Sequence, residues 1–379
     1  MSKLKDLIQE LCPDGVEYKK IKEIAEVGTG SSNGNESEED GAYPFFVRSQ
    51  TIKRKNTYEY DEEAVIVPGE GGIGDIFHYI NGKYALHQRV YRIHFLTSIV
   101  NTRFVYYYMF AYFKPFILKK AVSSTVSSIR KPMIEDFSIP IPPLVVQKEI
   151  VTVLDRFEEL QAELQAELQA RQEQYKYYRD KLLSFNEIGG GKRSVTWMKM
   201  SDICDNMDKN RRAVTSSNRK AGTYPYYGAS GIVDYVDSYI FDGDYLLISE
   251  DGANLITRNA HIAFSIDGKN WVNNHAHVLK FNDIVTQKYV EHYINMIDVS
   301  KYISGGAQPK LNQDNLNKIL IPIPSDKEEM SYIVDVLCKF EMLLNDLVNG
   351  LPAEMAAVQE QYEYYRNKLL SFPEYKISA

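Results

Sequence analysis

The feature that most constrains this chain is an internal duplication, in which the second half repeats the first with a shift of about 180 residues. Residues 172–185 read QEQYKYYRDKLLSF and residues 359–372 read QEQYEYYRNKLLSF, so twelve of fourteen positions are identical. The tetrapeptide IPIP occurs at residues 139–142 and again at residues 321–324. Identities are dense late in each half and sparse before, which indicates a shared structural part attached to two different domains.

Each half has the same internal order. It begins with about 125 residues of short β-type runs separated by Gly, Asn and Pro, a pattern typical of a compact β-rich domain. One helix-like segment interrupts these runs, at residues 102–113 in the first half and at residues 287–297 in the second. The IPIP element then ends each globular part, because successive prolines impose an extended backbone.

A long helix is predicted after each globular part. After Pro143 the first half runs about 42 residues without Pro or Gly, and apolar or aromatic residues recur there in alternating steps of four and three. The second half has the same spacing, but Gly350 and Pro352 interrupt it, so we expect a kink or short break there. Two such helices would pack most simply against each other in antiparallel fashion; the alternative is that each folds onto its own domain.

These patterns predict an α+β fold with an internal pseudo-twofold repeat. Two β-rich domains would be separated by two long antiparallel coiled-coil helices. The predicted boundaries are residues 1–142 for the first domain, 143–186 for the first spacer helix, 187–324 for the second domain and 325–379 for the second spacer helix.

Composition argues against several classes of protein. The three cysteines lie far apart without a CxxC pair, which suits a reducing cytoplasm and disfavours a disulfide framework or a structural zinc site. We expect neither a secretory signal nor a membrane span, because the apolar runs are too short. The net charge of −7 weighs against nucleic-acid binding, although basic residues gather in local clusters. The sequence therefore predicts a cytoplasmic protein.

The layout resembles the specificity (S) subunit of type I restriction-modification systems over essentially the whole chain. The resemblance rests on LCPDGVEY at residues 11–18, the IPIP exits, GGAQPKLN at residues 305–312 and the closing YYR-x-KLL helices, in this order and duplicated. It implies two target-recognition domains that each read one half of a bipartite site in double-stranded DNA. The helices would set the spacer between the half-sites and dock two methyltransferase subunits. Those subunits and a motor-nuclease subunit would bind S-adenosylmethionine, ATP and Mg.

Three motifs suggest chemistry, and each has a simpler interpretation. Residues 69–74 match GxGxxG, but the segment after them reads as a strand and turn, whereas a dinucleotide site needs a helix. Residues 13–19 hold the acidic residues and lysine of a metal-dependent nuclease, but packed into seven residues and absent from the second half. His275 and His277 offer two metal ligands on one strand face, but a hydrogen-bonding or DNA-facing pair is the simpler interpretation. We therefore predict no catalytic, cofactor-binding or metal-binding residue in this chain.

The candidates for DNA contact are loops that recur at equivalent places in both halves. Arg and Lys pair with guanine edges or phosphates, and Asn and Gln match adenine. The candidates in the first domain are Ser49, Gln50, Thr51, Lys53, Arg54, Lys55, His87, Gln88, Arg89, Ser127, Ser128, Arg130 and Lys131. The candidates in the second domain are Arg211, Arg212, Gly228, Ala229, Ser230, His275, Gln308, Lys310 and Asn312.

The helix ends carry more aromatic residues than one two-helix seam can bury. We therefore expect some of them to dock partner subunits. These residues are Tyr175, Tyr177, Tyr178, Tyr362, Tyr364 and Tyr365. Two other classes stay open at this point: a stand-alone nuclease, and a coiled-coil scaffold with two protein- or glycan-binding β domains.

A short repeat lies within the first predicted helix, where residues 159–170 read ELQA three times in succession. The stretch favours a helix by propensity alone. Four residues also add about 6 Å and turn the helix by about 400°, so copies can be gained or lost while nearly keeping the buried face. We hypothesise that the copy number sets the distance between the two half-sites.

Overall fold

The computed structural model describes residues 2–120, 128–185, 194–305, 308–346 and 350–375. Helices and strands are mixed along the chain, so the predicted α+β class is confirmed. The chain forms two compact units, unit 1 from Met1–Leu164 with Met355–Ala379 and unit 2 from Gln165–Glu354. The finer four-part boundaries stay a prediction. None of the helices in the described part is both long enough and apolar enough to cross a membrane.

Unit 1 is built around a six-stranded sheet with the order β2-β7-β5-β6-β3-β4, in which all neighbours are antiparallel except the parallel pair β3 and β6. A two-stranded sheet pairs β1 with β8. The strands are β1 Tyr18–Lys20, β2 Ala25–Thr29, β3 Tyr43–Phe46, β4 Lys53–Lys55, β5 Tyr60–Pro68, β6 His78–Leu86, β7 Val90–Phe95 and β8 Ser138–Pro140. The helices are α1 Ser2–Leu11, α2 Ile21–Ile24, α3 Thr102–Lys120, α4 Lys131–Glu135 and the first part of α5 Leu144–Leu183.

Unit 2 has two four-stranded sheets, with the orders β10-β17-β14-β15 and β12-β11-β16-β13, and a two-stranded sheet of β9 and β18. The strands are β9 Val195–Lys199, β10 Asp205–Asn206, β11 Ala221–Gly228, β12 Gly231–Val236, β13 Phe241–Asp242, β14 Tyr245–Ser249, β15 Ala263–Ile266, β16 Lys269–Val272, β17 Ala276–Lys280 and β18 Leu320–Pro324. The helices are α6 Met200–Ile203, α7 Asn254–Thr257, α8 Ile284–Met296, α9 Gln313–Asn317 and α10 Lys327–Asn345, and α11 Leu351–Leu369 follows.

The core of unit 1 includes residues from both ends of the chain. Ile150 and Leu154 of α5 are fully buried there, together with Leu370 just after α11. The returning segment also pairs with the start of the unit, since the main-chain N–H of Val16 donates to the carbonyl of Pro373 at 2.9 Å. The last described residues are therefore part of the first β-rich unit.

A helical seam of the same composition occurs in each unit. In unit 1 the ring of Phe157 packs against Tyr362 and Tyr365, with centroids 6.1 and 5.8 Å apart. In unit 2 the ring of Phe340 packs against Tyr175 and Tyr178 at 6.2 and 5.8 Å.

Each seam thus joins the helix that leaves one β-rich part to the YYR-x-KLL segment that ends the other half. In unit 1, Phe157 lies against Tyr365 and Gln161 donates to Gln359 at 2.6 Å, so the two helices run antiparallel as predicted. The expected interruption near Gly350 is present, because α10 ends at Asn345 and α11 begins at Leu351.

Candidate nucleic-acid interface

Many of the predicted contact residues of unit 1 surround two adjoining clefts. The first cleft, about 440 Å³, is lined by residues that include Ser49, Lys53 and His87. The second, about 320 Å³, is lined by residues that include Gln88, Arg89, Ser128 and Arg130. Glu70 lines both clefts.

The main chain explains why these loops meet. The parallel strands β3 and β6 place Phe46 opposite Leu86, so the loops that follow them leave the same edge of the sheet. The N–H of Gly69 donates to the carbonyl of Arg89 at 2.9 Å, and the N–H of Ile129 donates to the carbonyl of Gly69 at 2.8 Å. Three segments distant in sequence are thereby fixed side by side.

Three charged residues that line these clefts form an ion network. The carboxylate of Glu70 pairs with Arg89 at 2.9 Å and with Arg48 at 3.0 Å. These two guanidinium groups hold the pKa of Glu70 below its usual range. Burial, together with the positive charges of Arg48 and Arg89, lowers the pKa of His87. The imidazole is then neutral near pH 7, and its Nδ1 accepts a hydrogen bond from the N–H of Arg89 at 3.0 Å.

Unit 2 repeats this framework with other side chains. The parallel strands β11 and β16 place Tyr227 opposite Val272. The N–H of Glu250 donates to the carbonyl of His275 at 2.9 Å, and the N–H of Leu311 donates to the carbonyl of Glu250 at 2.8 Å. These bonds match those of Gly69 and Ile129 in unit 1 one for one.

The side-chain pair Arg89–Glu70 also has a counterpart in unit 2, with different chemistry. His275 occupies the position of Arg89, and its Nδ1 lies 2.8 Å from the carboxylate of Asp251, which occupies the position of Glu70. A guanidinium with five donors is thus replaced by an imidazole. Hydrogen-bonding groups at equivalent places in the two units differ, while the backbone that carries them is the same.

Arg211 is turned into unit 2. Its guanidinium lies 2.6 Å from Glu250 and 3.3 Å from Asp208, and it also donates to the carbonyl of Ala276 at 2.7 Å. Burial alone would raise the pKa of Glu250, but the hydrogen bonds from Arg211 and Lys310 outweigh it and lower that pKa. The predicted DNA contact of Arg211 stays a prediction, with most of its donors already engaged.

Asp208, Glu250 and His277 place one possible metal-ligand atom each within 4.8 Å of one another. The donor set does not suit a cation, because the guanidinium of Arg211 already lies against both carboxylates. Both nitrogens of His277 also face acceptors, Asp208 at 2.5 Å and the carbonyl of Leu311 at 2.7 Å. We interpret the cluster as a buried hydrogen-bond network that joins the segment after β10 to the end of β14 and the start of β17.

Some of the other predicted residues have partners within their own unit. Lys55 pairs with Glu36 at 2.6 Å, and Arg54 donates to main-chain carbonyls. The side chain of Asn312 caps α9, since its Oδ1 accepts from the N–H of Asn315 at 2.9 Å. Lys131 lies 3.6 Å from Glu135 and Lys310 lies 3.0 Å from Glu250. Exposed positions are Gln50, Thr51, Arg212, Ser230 and Gln308, and Gly228 and Ala229 lie at the β11–β12 turn. Ser127 lies outside the described residues.

The six aromatic residues of the helix ends fall into three pairs. Tyr362 is buried and Tyr175 is half-buried. The rings of Tyr178 and Tyr365 stack on the two phenylalanines of the seams, Phe340 and Phe157. Tyr177 and Tyr364 point outward and are 60% and 57% exposed. A lysine one turn later lies over each outward ring, Lys181 at 5.7 Å and Lys368 at 5.2 Å.

The other two motifs that suggested chemistry, residues 13–19 and 69–74, are explained by local structure. Asp14 is exposed in a turn, and Glu17 pairs with Lys19 at 2.7 Å, so these groups do not converge on a common point. The glycine-rich segment continues as a turn into β6, and Gly71, with φ of 79°, packs against the carbonyl of Arg48. Arg48, Glu70 and Asp251 are not among the candidates predicted from the sequence. The signal that could have found the two acidic residues is their equivalent place after a buried strand in each half.

A family model described as the type I restriction modification DNA specificity domain matches residues 13–173 and again residues 194–357. The chain belongs to this family. The internal duplication therefore corresponds to two specificity domains, and the prediction of a specificity subunit with two target-recognition domains is confirmed. The alternative, a scaffold with protein- or glycan-binding domains, finds no support.

Individual relatives agree with the family. A putative type I specificity subunit of Mycoplasma pneumoniae is 31% identical over 248 residues, which cover 62% of this chain and 97% of the relative. The crystal structure of the S subunit of a type I restriction-modification system from M. genitalium has a TM-score of 0.65 at 14% identity, covering 94% of this chain and 96% of that one. A structure described as showing complex assembly of the type I R-M system has a TM-score of 0.56 at 12% identity, covering 95% and 98%. Likeness at such low identity concerns the fold.

Proposed function

We propose that each target-recognition domain reads one half of a bipartite DNA site, and that this chain directs methyltransferase or nuclease subunits to that site without catalysing a reaction itself. The observation that carries the proposal is the repeated loop framework with different side chains. Arg89 with Glu70 in unit 1 and His275 with Asp251 in unit 2 stand on matching backbones. Because base edges are distinguished by the donors and acceptors that meet them, two such surfaces would read two different sequences.

The charge of the chain fits a subunit that binds DNA together with partners. Phosphate neutralisation supplies much of the affinity of DNA-binding proteins, and a chain with a net charge of −7 is poorly equipped for it alone. The clefts of unit 1 are locally basic, with Arg48, Lys53, Arg89 and Arg130 against Glu70. Partner subunits would therefore supply much of the positive surface, and would bind S-adenosylmethionine, ATP and Mg.

Mapping of modified bases tests this proposal. Co-expression of the chain with the methyltransferase subunits of its own system should produce methylation at a two-part motif with an unspecified spacer. Single-molecule sequencing of the host DNA would read the motif. A continuous motif, or methylation independent of this chain, would contradict the proposal.

A control experiment tests the alternative that the chain is a stand-alone nuclease. The purified chain with Mg²⁺ alone should leave plasmid DNA intact, and Asp14→Ala should change nothing, because Asp14 lies exposed in a turn. Metal-dependent cleavage that disappears in Asp14→Ala would point to a stand-alone nuclease instead.

We further propose that the outward tyrosines dock two methyltransferase subunits, one at each helix end. Tyr177 with Lys181 and Tyr364 with Lys368 present the same exposed aromatic surface twice, as two copies of one partner would require. Exposed tyrosines are enriched at the centres of protein interfaces.

Replacing Tyr177 and Tyr364 by Ala together should reduce co-purification of the methyltransferase at least tenfold, since interface tyrosines often contribute about 2 kcal/mol. The matched control is Tyr58→Ala with Tyr239→Ala. These tyrosines are also exposed and lie below lysines, Lys83 at 4.6 Å and Lys269 at 4.8 Å, but belong to the β-rich parts. Equal losses in both double variants, or none in the first, would remove the assignment.

A further inference from the structure

The edge strand β12 of unit 2 carries an apolar surface that the sequence patterns did not single out. Ile232, Val233 and Tyr235 are all exposed, and Val233 is 53% exposed. An edge strand with exposed branched and aromatic side chains invites aggregation, so natural proteins usually avoid it or cover it. The surface begins directly after Ser230, which lies in the β11–β12 turn and is one of the predicted DNA contacts.

Val233 stands at a β-bulge. Tyr226 of β11 pairs with Asp234 and the next residue, Tyr227, pairs with Ile232, so Val233 is the extra residue of its strand. A bulge of this kind re-aims the side chain it carries and is common beside functional sites.

The bulge directs Val233 toward the candidate interface. A Cβ placed on Gly228 would lie 3.1 Å from Cγ1 of Val233 and 3.3 Å from Nδ2 of Asn273. Asn273 occupies in unit 2 the position of His87 in the cleft of unit 1, and its Oδ1 accepts from the N–H of His275 at 2.8 Å. The methyl groups of Val233 therefore lie over Gly228 and beside the loop that follows β16.

The corresponding strand of unit 1, β4, shows that the exposed aliphatic residue is retained while its neighbours differ. The register of β3 with β4 matches that of β11 with β12, which places Lys53 at Asp234 and Arg54 at Tyr235. A lysine of unit 1 is thus replaced by an aspartate in unit 2, and an arginine by a tyrosine. The residue before them stays branched and exposed, since Ile52, at the position of Val233, is 46% exposed.

An exposed aliphatic group beside a polar DNA-reading surface has one obvious counterpart on a base edge. In the major groove, which admits a two-stranded β-ribbon, the 5-methyl group of thymine is the apolar group that side chains contact. We propose that Val233 contacts the 5-methyl group of a thymine in the half-site read by unit 2, and so helps to specify an A·T pair there. This inference rests on the proposed function and names one contact within it.

The test removes the methyl group from the DNA and from the protein in turn. The assembled methyltransferase complex would be assayed on duplexes in which each thymine of the mapped half-site is replaced, one at a time, by deoxyuridine. The wild-type complex should methylate one such duplex about fourfold more slowly, the factor that corresponds to one buried methyl group. With Val233→Ala the thymine and deoxyuridine duplexes should be methylated at equal rates at that position.

A matched control is Leu320→Ala, which truncates an exposed aliphatic residue of β18 and should keep the wild-type preference for thymine. The proposal is overturned if deoxyuridine has no effect at any position in the wild type, if the effect persists unchanged in Val233→Ala, or if the half-site contains no A·T pair. In each of these cases the complex still methylates a two-part motif, so the proposed function is unaffected. Absence of such a motif would contradict the proposed function instead.

Discussion

Inserting a fourth ELQA unit after Ala170 is expected to lengthen the spacer between the two half-sites by one or two base pairs and to leave both half-sites unchanged. The three existing units occupy residues 159–170 within the continuous helix α5. Four added residues lengthen a helix by about 6 Å. One base pair of DNA rises by about 3.4 Å, so the added length corresponds to one or two base pairs.

The rotation of the helix provides the control for this prediction. Four added residues turn the following part of the helix by about 400°, so its buried face points in nearly the same direction as before. One added Ala turns that face by about 100°. The single insertion should therefore abolish methylation, while the ELQA insertion keeps it at a longer site. Methylation mapping of both variants distinguishes these results, and an unchanged spacer in the ELQA variant would refute a length-setting role for the repeat.

Leu370→Ala is expected to destabilise unit 1 by about 2–5 kcal/mol, the usual cost of truncating a fully buried leucine. Leu370 is fully buried in the core of unit 1, although it comes from the last part of the chain. It follows α11, whose Tyr362 packs against Phe157 in the seam of the same unit. Hydrogen exchange resolved by peptide should show faster exchange in β5 and α3, which belong to unit 1.

The internal repeat supplies a matched variant for this experiment. Leu183 occupies in α5 the position that Leu370 occupies in the second half, and it is buried in the core of unit 2. Leu183→Ala should therefore accelerate exchange in β14 and α8 and leave β5 at its wild-type rate. The opposite pattern would be faster exchange in unit 2 for Leu370→Ala and in unit 1 for Leu183→Ala. That result would contradict the burial of Leu370 in unit 1 and of Leu183 in unit 2.

The helical part could be predicted well because its signal is long and periodic. Of the residues spaced by four and three, Ile150 and Leu154 are buried in the core of unit 1 and Phe157 packs in the seam. The break at Gly350 follows from the poor fit of Gly and Pro inside a helix. The sequence did not show which segments meet in each seam. The YYR-x-KLL copies are nearly identical, so composition could not distinguish them as partners, and only the tertiary arrangement does.

For the candidate interface, the structure shows which predicted residues lie together, and their contacts with DNA stay predictions. The loops after β3 and β6 do meet, because parallel strands deliver them to one edge. Arg211 was chosen for its charge, but long-range pairing with Glu250 turns it inward. Val233 is not among the residues predicted from the sequence, because a search for hydrogen-bond donors and acceptors passes over aliphatic residues. Its direction also depends on a bulge that forms only when β12 pairs with β11.

In each seam, the helix that follows one β-rich part packs against the YYR-x-KLL segment of the other half, and this pairing has a consequence for symmetry. A chain that stopped after Phe185 would carry the Phe157 side of one seam and the Tyr175 side of the other on a single helix, with neither side completed. Two such chains would complete each other reciprocally about a twofold axis. The resulting dimer would hold two identical readers, and the sequence it recognised would be palindromic.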